Sequence, residues 1–329
     1  MDDRHDPAPP LRGRKAPKGR NKTEPSFPAN DSATSEILNS VAAHGKPPPA
    51  HHTNSSIAIP EAGILTVQNM PSRLANQWVL ITGASSGFGA AAALAVAREG
   101  AKLLLGARRT DRLEQVAAEA RKAGSPAALY HALDVSKTPS VEEFSKWVRE
   151  QTDKVDVLLN NAGGALGLDT VATAKDEDWE GMMQSNVLGV LRMTRAILPL
   201  MTSNPGSSII NIGSIAGRTA YEGGAAYCAA KAGELQITRA LRLELNGTGI
   251  RVATIDPGLA ETEFSVVRFK GDTARAKKVY EGVNALTAED VAETILWVAS
   301  RPSHVCIDEM VIKPTDQAAI HKVFRRTAK

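Results

Sequence analysis

The sequence predicts an α/β fold: one doubly wound domain on a seven-stranded parallel sheet, covering residues 72–329, behind a disordered tail over 1–71. Three observations carry that expectation. From Trp78 onward, apolar runs near 77–82, 101–107, 127–133, 155–160, 207–213, 250–256 and 304–312 alternate with helical stretches, the rhythm of strand-helix-strand units in one parallel sheet. The 329 residues are 43% hydrophobic, enough to bury a large core. The first seventy residues instead hold ten of the eighteen prolines and no sustained apolar periodicity, the composition of a chain that stays unfolded.

The first strand, Trp78-Val79-Leu80-Ile81, runs into the glycine turn Thr82-Gly83-Ala84-Ser85-Ser86-Gly87-Phe88-Gly89 and then an alanine-rich helix, Ala90 to Arg98. A strand, a glycine turn and a helix N-terminus set backbone N–H groups and the positive end of the helix dipole against a pyrophosphate. The spacing is G-x-x-x-G-x-G rather than G-x-G-x-x-G, and a glycine turn alone is a weak sign of a nucleotide; its context strengthens it. The second strand ends in Gly106-Ala107-Arg108-Arg109, where an acidic residue would hold the ribose 2′-hydroxyl of NAD. Two guanidinium groups match a 2′-phosphate instead, which selects NADP. The alternative is that both arginines open a solvated helix beside Asp111 and Glu114.

Further along, the strand run Ile209 to Ile212 delivers Ser214, and Tyr227 and Lys231 lie four apart, on one face of a helix. A phenol that ionises near pH 10 is a poor acid or base at neutral pH, but a neighbouring cation favours the phenolate. The Ser214 hydroxyl is then placed to bond the oxygen of a carbonyl or alcohol while Tyr227 trades its proton. Alone, Tyr-x-x-x-Lys also describes an amphipathic helix with a snorkelling lysine. Arg218, in the loop Gly217 to Gly224, is the candidate cation for a substrate carboxylate, with a surface ion pair or subunit contact as the alternative; Glu222 would meet an amino group. The charged and aromatic stretch over about 259–285 reads as a substrate lid.

Four motifs in this order resemble the short-chain dehydrogenase/reductases: the loop Thr82 to Gly89, Asn160-Asn161-Ala162-Gly163, the set Asn186, Ser214, Tyr227 and Lys231, and Pro257-Gly258. The stretches 211–218, 262–272 and 301–317 are further similar to the NADP-dependent 3-hydroxy acid dehydrogenases, which act on serine, allo-threonine and related acids. The resemblance implies a Rossmann-like fold with NADP held at the carboxyl edge of the sheet. It implies Tyr227 as general acid/base, Lys231 on the nicotinamide ribose, Ser214 on the substrate oxygen, and Asn186 holding a water at a helix irregularity at the start of the helical pattern Val187 to Met201. Asp134 and the Val135 N–H would meet the adenine, Asn161 to Gly163 would pass beneath the cofactor, and Pro257, Gly258, Leu259 and Thr262 would border its nicotinamide end. A homotetramer packed through the helices bearing Asn186 and Tyr227 is implied as well.

The remaining composition is quiet. A net charge of +3 is too mild to indicate nucleic acid, although six of the eleven residues from Arg12 to Lys22 are basic. Two cysteines make neither a disulfide framework nor a metal cluster, and the histidines have no ligand spacing, so no metal is expected and a reducing cytoplasm is. No apolar run is long enough to span a bilayer, and neither a secretory nor an organelle leader pattern is present. Met70 is a candidate translation start. Two other readings stay open: a broader ketone, aldehyde or pteridine reductase, and a catalytically idle NADP-binding module that docks a partner through its tail.

Overall fold

The computed structural model describes residues 72–201 and 206–327, and expectations placed on the tail and on Met70 lie outside the described residues. Strand and helix alternate through most of this stretch: β1 (Trp78–Thr82), α1 (Gly87–Arg98), β2 (Lys102–Ala107), α2 (Thr110–Ala123), β3 (Ala128–Ala132), α3 (Thr138–Gln151) and β4 (Val157–Asn160). There follow α4 (Asp176–Met183), a π-helical turn (Gln184–Leu188), α5 (Gly189–Ile197), a 3₁₀ turn (Leu198–Leu200), β5 (Ser208–Ile212), a second 3₁₀ turn (Ile215–Gly217), α6 (Ala225–Glu244) and β6 (Arg251–Pro257). Short helices α7 (Phe264–Arg268) and α8 (Thr273–Lys278) precede α9 (Ala288–Ala299), β7 (Glu309–Ile312) and a small hairpin of β8 (Gln317–Ala319) and β9 (Lys322–Val323).

The sheet order is β3-β2-β1-β4-β5-β6-β7, with every pair parallel. Strand order reverses at β1 and β4, so a crevice opens between their carboxyl ends. Central strands are buried on both faces, which is why they read as unbroken apolar runs such as Val79-Leu80-Ile81 and Leu103-Leu104-Leu105. One core layer lies under α1, α2 and α9, with Ile81, Leu103, Leu113, Val291 and Ile295; the opposite layer holds Leu80, Leu104, Phe144, Leu158, Met193 and Ile197. Each such side chain contributes about 1.5–3 kcal/mol by leaving water.

Three expected boundaries shift, each for a local reason. Helix α1 begins at Gly87 rather than Ala90, because the extended Ser86 and the left-handed Gly87 (φ 54°) let the turn close inside the glycine loop. The last strand is limited to Glu309–Ile312. Its upstream residues are tied by turn and side-chain bonds, with the Val305 N–H donating to Pro302 and Cys306 Sγ lying against the Val252 carbonyl. The helix expected from Val187 to Met201 is instead a π-helical turn, α5 and a 3₁₀ turn. No helix among the described residues is long and apolar enough to cross a membrane.

Candidate active site

Each strand of the sheet from β1 to β6 hands its C-terminal residues to one cleft. Its volume is about 960 Å³, and it is lined from the glycine loop and Arg108 at one end to Tyr227, Phe264 and Arg268 at the other. Within it the structure brings together Gly83, Ser85, Ser86, Gly87 and Phe88 after β1, Arg108 and Arg109 after β2, and Asp134 and Val135 after β3. Asn161 follows β4, Ser214 follows β5, and Pro257, Gly258, Leu259 and Thr262 lie at and beyond the end of β6. Ala84 and Gly89 are buried behind this wall.

The glycine loop is built for close backbone approach. Gly83 is left-handed (φ 67°), and a Cβ there would stand 2.9 Å from Ala162 Cα. Thr82 Oγ1 accepts from the N–H groups of Asn161 and Ala162, both at 3.0 Å, and the Asn161 amide donates to the carbonyls of Thr82 (2.9 Å) and Gly83 (3.2 Å). The two loops therefore form one floor, and the sequence motifs at 82–89 and 160–163 are halves of a single structure. That floor leaves the mouth of α1 open to an anion.

Arginine chemistry sits beside it. Arg109 donates to Ser86 Oγ (2.6 Å) and Ser85 Oγ and pairs with Glu263 at 2.9 Å, bracketing the loop against the segment before α7. Arg112 also binds Glu263, and these guanidinium partners hold the Glu263 carboxyl below its usual range. Arg108 is exposed and makes no hydrogen bond among the described residues, so its five donors face solvent at the cleft mouth. Asp134 Oδ1 accepts from the Ser136 hydroxyl (2.6 Å) and N–H (3.0 Å); partial burial opposes ionisation, but these bonds prevail and keep its carboxyl on the acidic side. Leu259 and Thr262 are committed locally, the Leu259 N–H to Gln317 Oε1 and Thr262 Oγ1 to the Phe264 N–H.

At the other end, Ser214 caps the 3₁₀ turn by accepting from the Ala216 N–H (3.1 Å). Tyr227 and Lys231 share the cleft face of α6, and the Tyr227 ring tilts on Phe264 at 5.6 Å. Lys231 Nζ is buried and donates to the Ile212 carbonyl (2.6 Å) and Glu234 Oε2 (3.0 Å). Burial works against its charge, yet Glu234, Tyr227 and Asp256 outweigh it and hold the ammonium above the ordinary lysine range. Asn186 does not line the cleft surface. It lies buried in the π-helical turn, where its side chain accepts from the Gly164 N–H (3.1 Å) and donates to the carbonyls of Gly164 (2.9 Å) and Met182 (2.8 Å). That turn is the helix irregularity expected at this residue.

Arg218 is the expected site residue that the structure turns away. It is absent from the cleft lining, because its guanidinium is consumed by Asp256 and by Glu309 at 2.6 Å; Glu222 is exposed elsewhere. Arg268, at the end of α7, is the arginine that lines the cleft beside Tyr227. Its guanidinium lies 5.1 Å from the Tyr227 ring centroid and 5.0 Å from that of Phe264, donates to Tyr221 Oη (2.6 Å), and leaves its buried Nε without a partner among the described residues. Nothing in the spacing around Arg268 announces this placement, since the rest of α6, β6 and a loop lie between it and Tyr227 and only the fold of α7 over α6 brings them together.

Residues 77–272 match the family described as short chain dehydrogenase. The chain belongs to the short-chain dehydrogenase family. It is therefore an oxidoreductase, and the idle binding module finds no support. Among its relatives is a Schizosaccharomyces pombe protein named NADP-dependent 3-hydroxy acid dehydrogenase, 43% identical over 258 residues that cover 78% of this chain and all of that one. A serine 3-dehydrogenase of Agrobacterium fabrum is 38% identical over 76% of this chain and 98% of its own. A solved structure described as the closed form of serine dehydrogenase complexed with NADP+ superposes with a TM-score of 0.71 at 40% identity, covering 76% of this chain and 100% of that one. This short-chain dehydrogenase shares its fold with that solved structure. Among its described residues no group of three or more potential metal ligands occurs.

Proposed function

We propose that this cleft interconverts small 3-hydroxy acids, such as serine or allo-threonine, and their 3-oxo forms with NADP as cofactor and Tyr227 as the proton-transfer group. The observation that carries the reading is the cation Arg268 stacked over Tyr227 with an unspent buried N–H, in the same cleft as Ser214, Lys231 and the glycine floor. A hydroxyl bonded to Ser214 and Tyr227 is then within one small molecule's length of a guanidinium for its carboxylate. The names of the S. pombe and A. fabrum relatives support the same substrate class.

The cleft suits NADP: its floor admits backbone-close phosphates, and Arg108 with Arg109 suits a 2′-phosphate. The Asp134 carboxylate and the Val135 N–H suit the adenine, while Pro257, Gly258, Leu259 and Thr262 border the nicotinamide end. NADP supplies the hydride acceptor or donor. The protein's own residues supply position and charge. In oxidation the Tyr227 oxygen takes the hydroxyl proton, the Lys231 ammonium stabilises the resulting phenolate charge, and Ser214 fixes the substrate oxygen; reduction reverses the proton's path. Asn186 holds the π-helical turn open beside this pair. The segment over about 259–285, with α7 and α8, acts as a lid that brings Arg268 over the substrate and excludes water.

A homotetramer packed through α5 and α6 is supported by the exposed Leu191 and Leu243 on those helices. The unpaired thiols of Cys228 and Cys306 accord with a cytoplasmic protein. Steady-state comparison of serine, 3-hydroxyisobutyrate and 3-hydroxypropionate with a carboxylate-free alcohol, each with NADP and NAD, tests the substrate reading. The acids with NADP should give the highest kcat/KM. Turnover confined to carboxylate-free substrates would point to a broader carbonyl reductase.

A further inference from the structure

The mechanism above uses Lys231 but leaves its nearest charged neighbour unexplained. Glu234 lies one helical turn along α6, wholly buried, with Oε2 3.0 Å from Lys231 Nζ. Its other oxygen, Oε1, is buried and has no hydrogen-bond partner among the described residues. Burial pushes the Glu234 carboxyl up while Lys231 pulls it down, so a carboxylate here persists only by virtue of the ammonium beside it. A buried carboxylate with half its bonding capacity unspent costs stability, and a leucine would fill the same space without that cost. The polar surroundings are ordered: the Glu234 carbonyl accepts from Thr238, whose hydroxyl accepts from Asn211, which in turn accepts from Asn160.

We propose that Glu234 is a positioning residue for the reaction, holding the Lys231 ammonium in its buried seat and sharing its charge, so that Tyr227 faces an ion pair instead of a lone cation. The proposal rests on the reading of Tyr227 and Lys231 as the proton-handling pair. An ammonium has three donors. Ile212 and Glu234 take two, which leaves the third for the cleft that Lys231 lines. The charged or titratable groups acting on Lys231 are Tyr227 and Glu234 on its own helix and Asp256 on β6. Asp256 is itself neutralised by Arg218 from the loop after β5, and from the lid Arg268 reaches Tyr227 but not Lys231. The packed π-helical turn presents only uncharged Asn186 and its neighbours. Glu234 is thus the one counter-charge in contact with Lys231 among the described residues.

Two consequences share one sign. Without the carboxylate, a lone ammonium stabilises the phenolate more strongly, and a lone buried ammonium gives up its proton more readily. Both limbs of a bell-shaped kcat profile therefore move to lower pH. The experiment measures kcat against pH for the intact enzyme with saturating NADP and a 3-hydroxy acid, in wild type, Glu234→Gln and Glu234→Asp. Glu234→Gln should shift the whole profile down by about one pH unit with little change in KM for NADP. Glu234→Asp, which keeps the charge, should stay near wild type. An unshifted Glu234→Gln profile overturns the proposal.

Infrared difference spectroscopy on the wild-type NADP complex, with ¹³C-labelled glutamate, gives a readout that needs no variant to fold. It should show a buried glutamate ionised through the active pH range, and a carboxyl protonated throughout overturns the proposal equally. Tyr227→Phe separates the two levels: retained turnover there defeats the underlying reading, whereas lost turnover with an unshifted Glu234→Gln profile defeats only the role of Glu234.

Discussion

At the scale of single residues, the proposed function divides the site into groups that touch reacting atoms and groups that select what reaches them, with Arg268 of the second kind. Arg268→Met keeps most of the stacking volume over Tyr227 and removes the charge, so kcat/KM for 3-hydroxy acids should fall by about 10²-fold, the order of 2–3 kcal/mol for a charge-assisted contact, while a carboxylate-free alcohol is scarcely affected. Equal losses on both substrates would assign Arg268 to packing alone. Arg108→Ala with Arg109→Ala should weaken NADP far more than NAD in equilibrium titrations, because only the 2′-phosphate distinguishes them. Arg109 also braces Ser85, Ser86 and Glu263, so its single replacement should cost some affinity for both cofactors, and Arg108→Ala should show the cleaner discrimination.

At the scale of elements, the two loops beneath the cleft act as one piece. Gly83→Ala forces a side chain onto a left-handed backbone and toward Ala162, so it should lower NADPH affinity by at least about tenfold and the melting temperature by several degrees. A second element-level tie is the ion cluster joining β7 to α6. Glu309 receives hydrogen bonds from Arg239 and Arg218, which hold its carboxyl down to about 2. Its contribution is present above the ordinary carboxylate value of 4.5 and is lost as pH falls through about 2. Glu309→Gln should therefore melt about 2–4 °C below wild type at neutral pH, roughly 1 kcal/mol, with the gap narrowing as the medium is acidified below 4.5.

The elements were also unequal in how openly the sequence declared them. The central strands were legible because burial on both faces demands unbroken apolar runs, and the glycine turn because left-handed backbone at Gly83 and Gly87 demands glycine. Tyr227 and Lys231 were legible because one helix carries both. Arg218 and Arg268 were not separable in that way: one lies in a loop and the other ends the short helix α7, and their fates depend on tertiary partners, Asp256 and Glu309 for one and the rings of Tyr227 and Phe264 for the other. The weak edge strand β7 was overextended for a related reason, since the upstream run Val305-Cys306-Ile307 is apolar yet tied by a backbone turn and the Cys306 side chain rather than by a ladder.

At the scale of the whole molecule, the sheet and the core place the Tyr227 phenol and the Arg268 cation in one cleft. On the proposed tetramer the exposed Leu191 and Leu243 lie at subunit contacts, so light scattering of the purified protein should report a tetramer; a monomer at micromolar concentration would contradict that proposal. The proposed reaction turns on the proton at Tyr227. The most direct measurement is the initial rate of NADPH formation from a 3-hydroxy acid by wild type and Tyr227→Phe, with NADPH binding followed in parallel by fluorescence. Turnover should drop by roughly 10²–10⁴-fold while NADPH affinity stays within about twofold; a variant that binds NADPH normally and turns over within tenfold of wild type would contradict it.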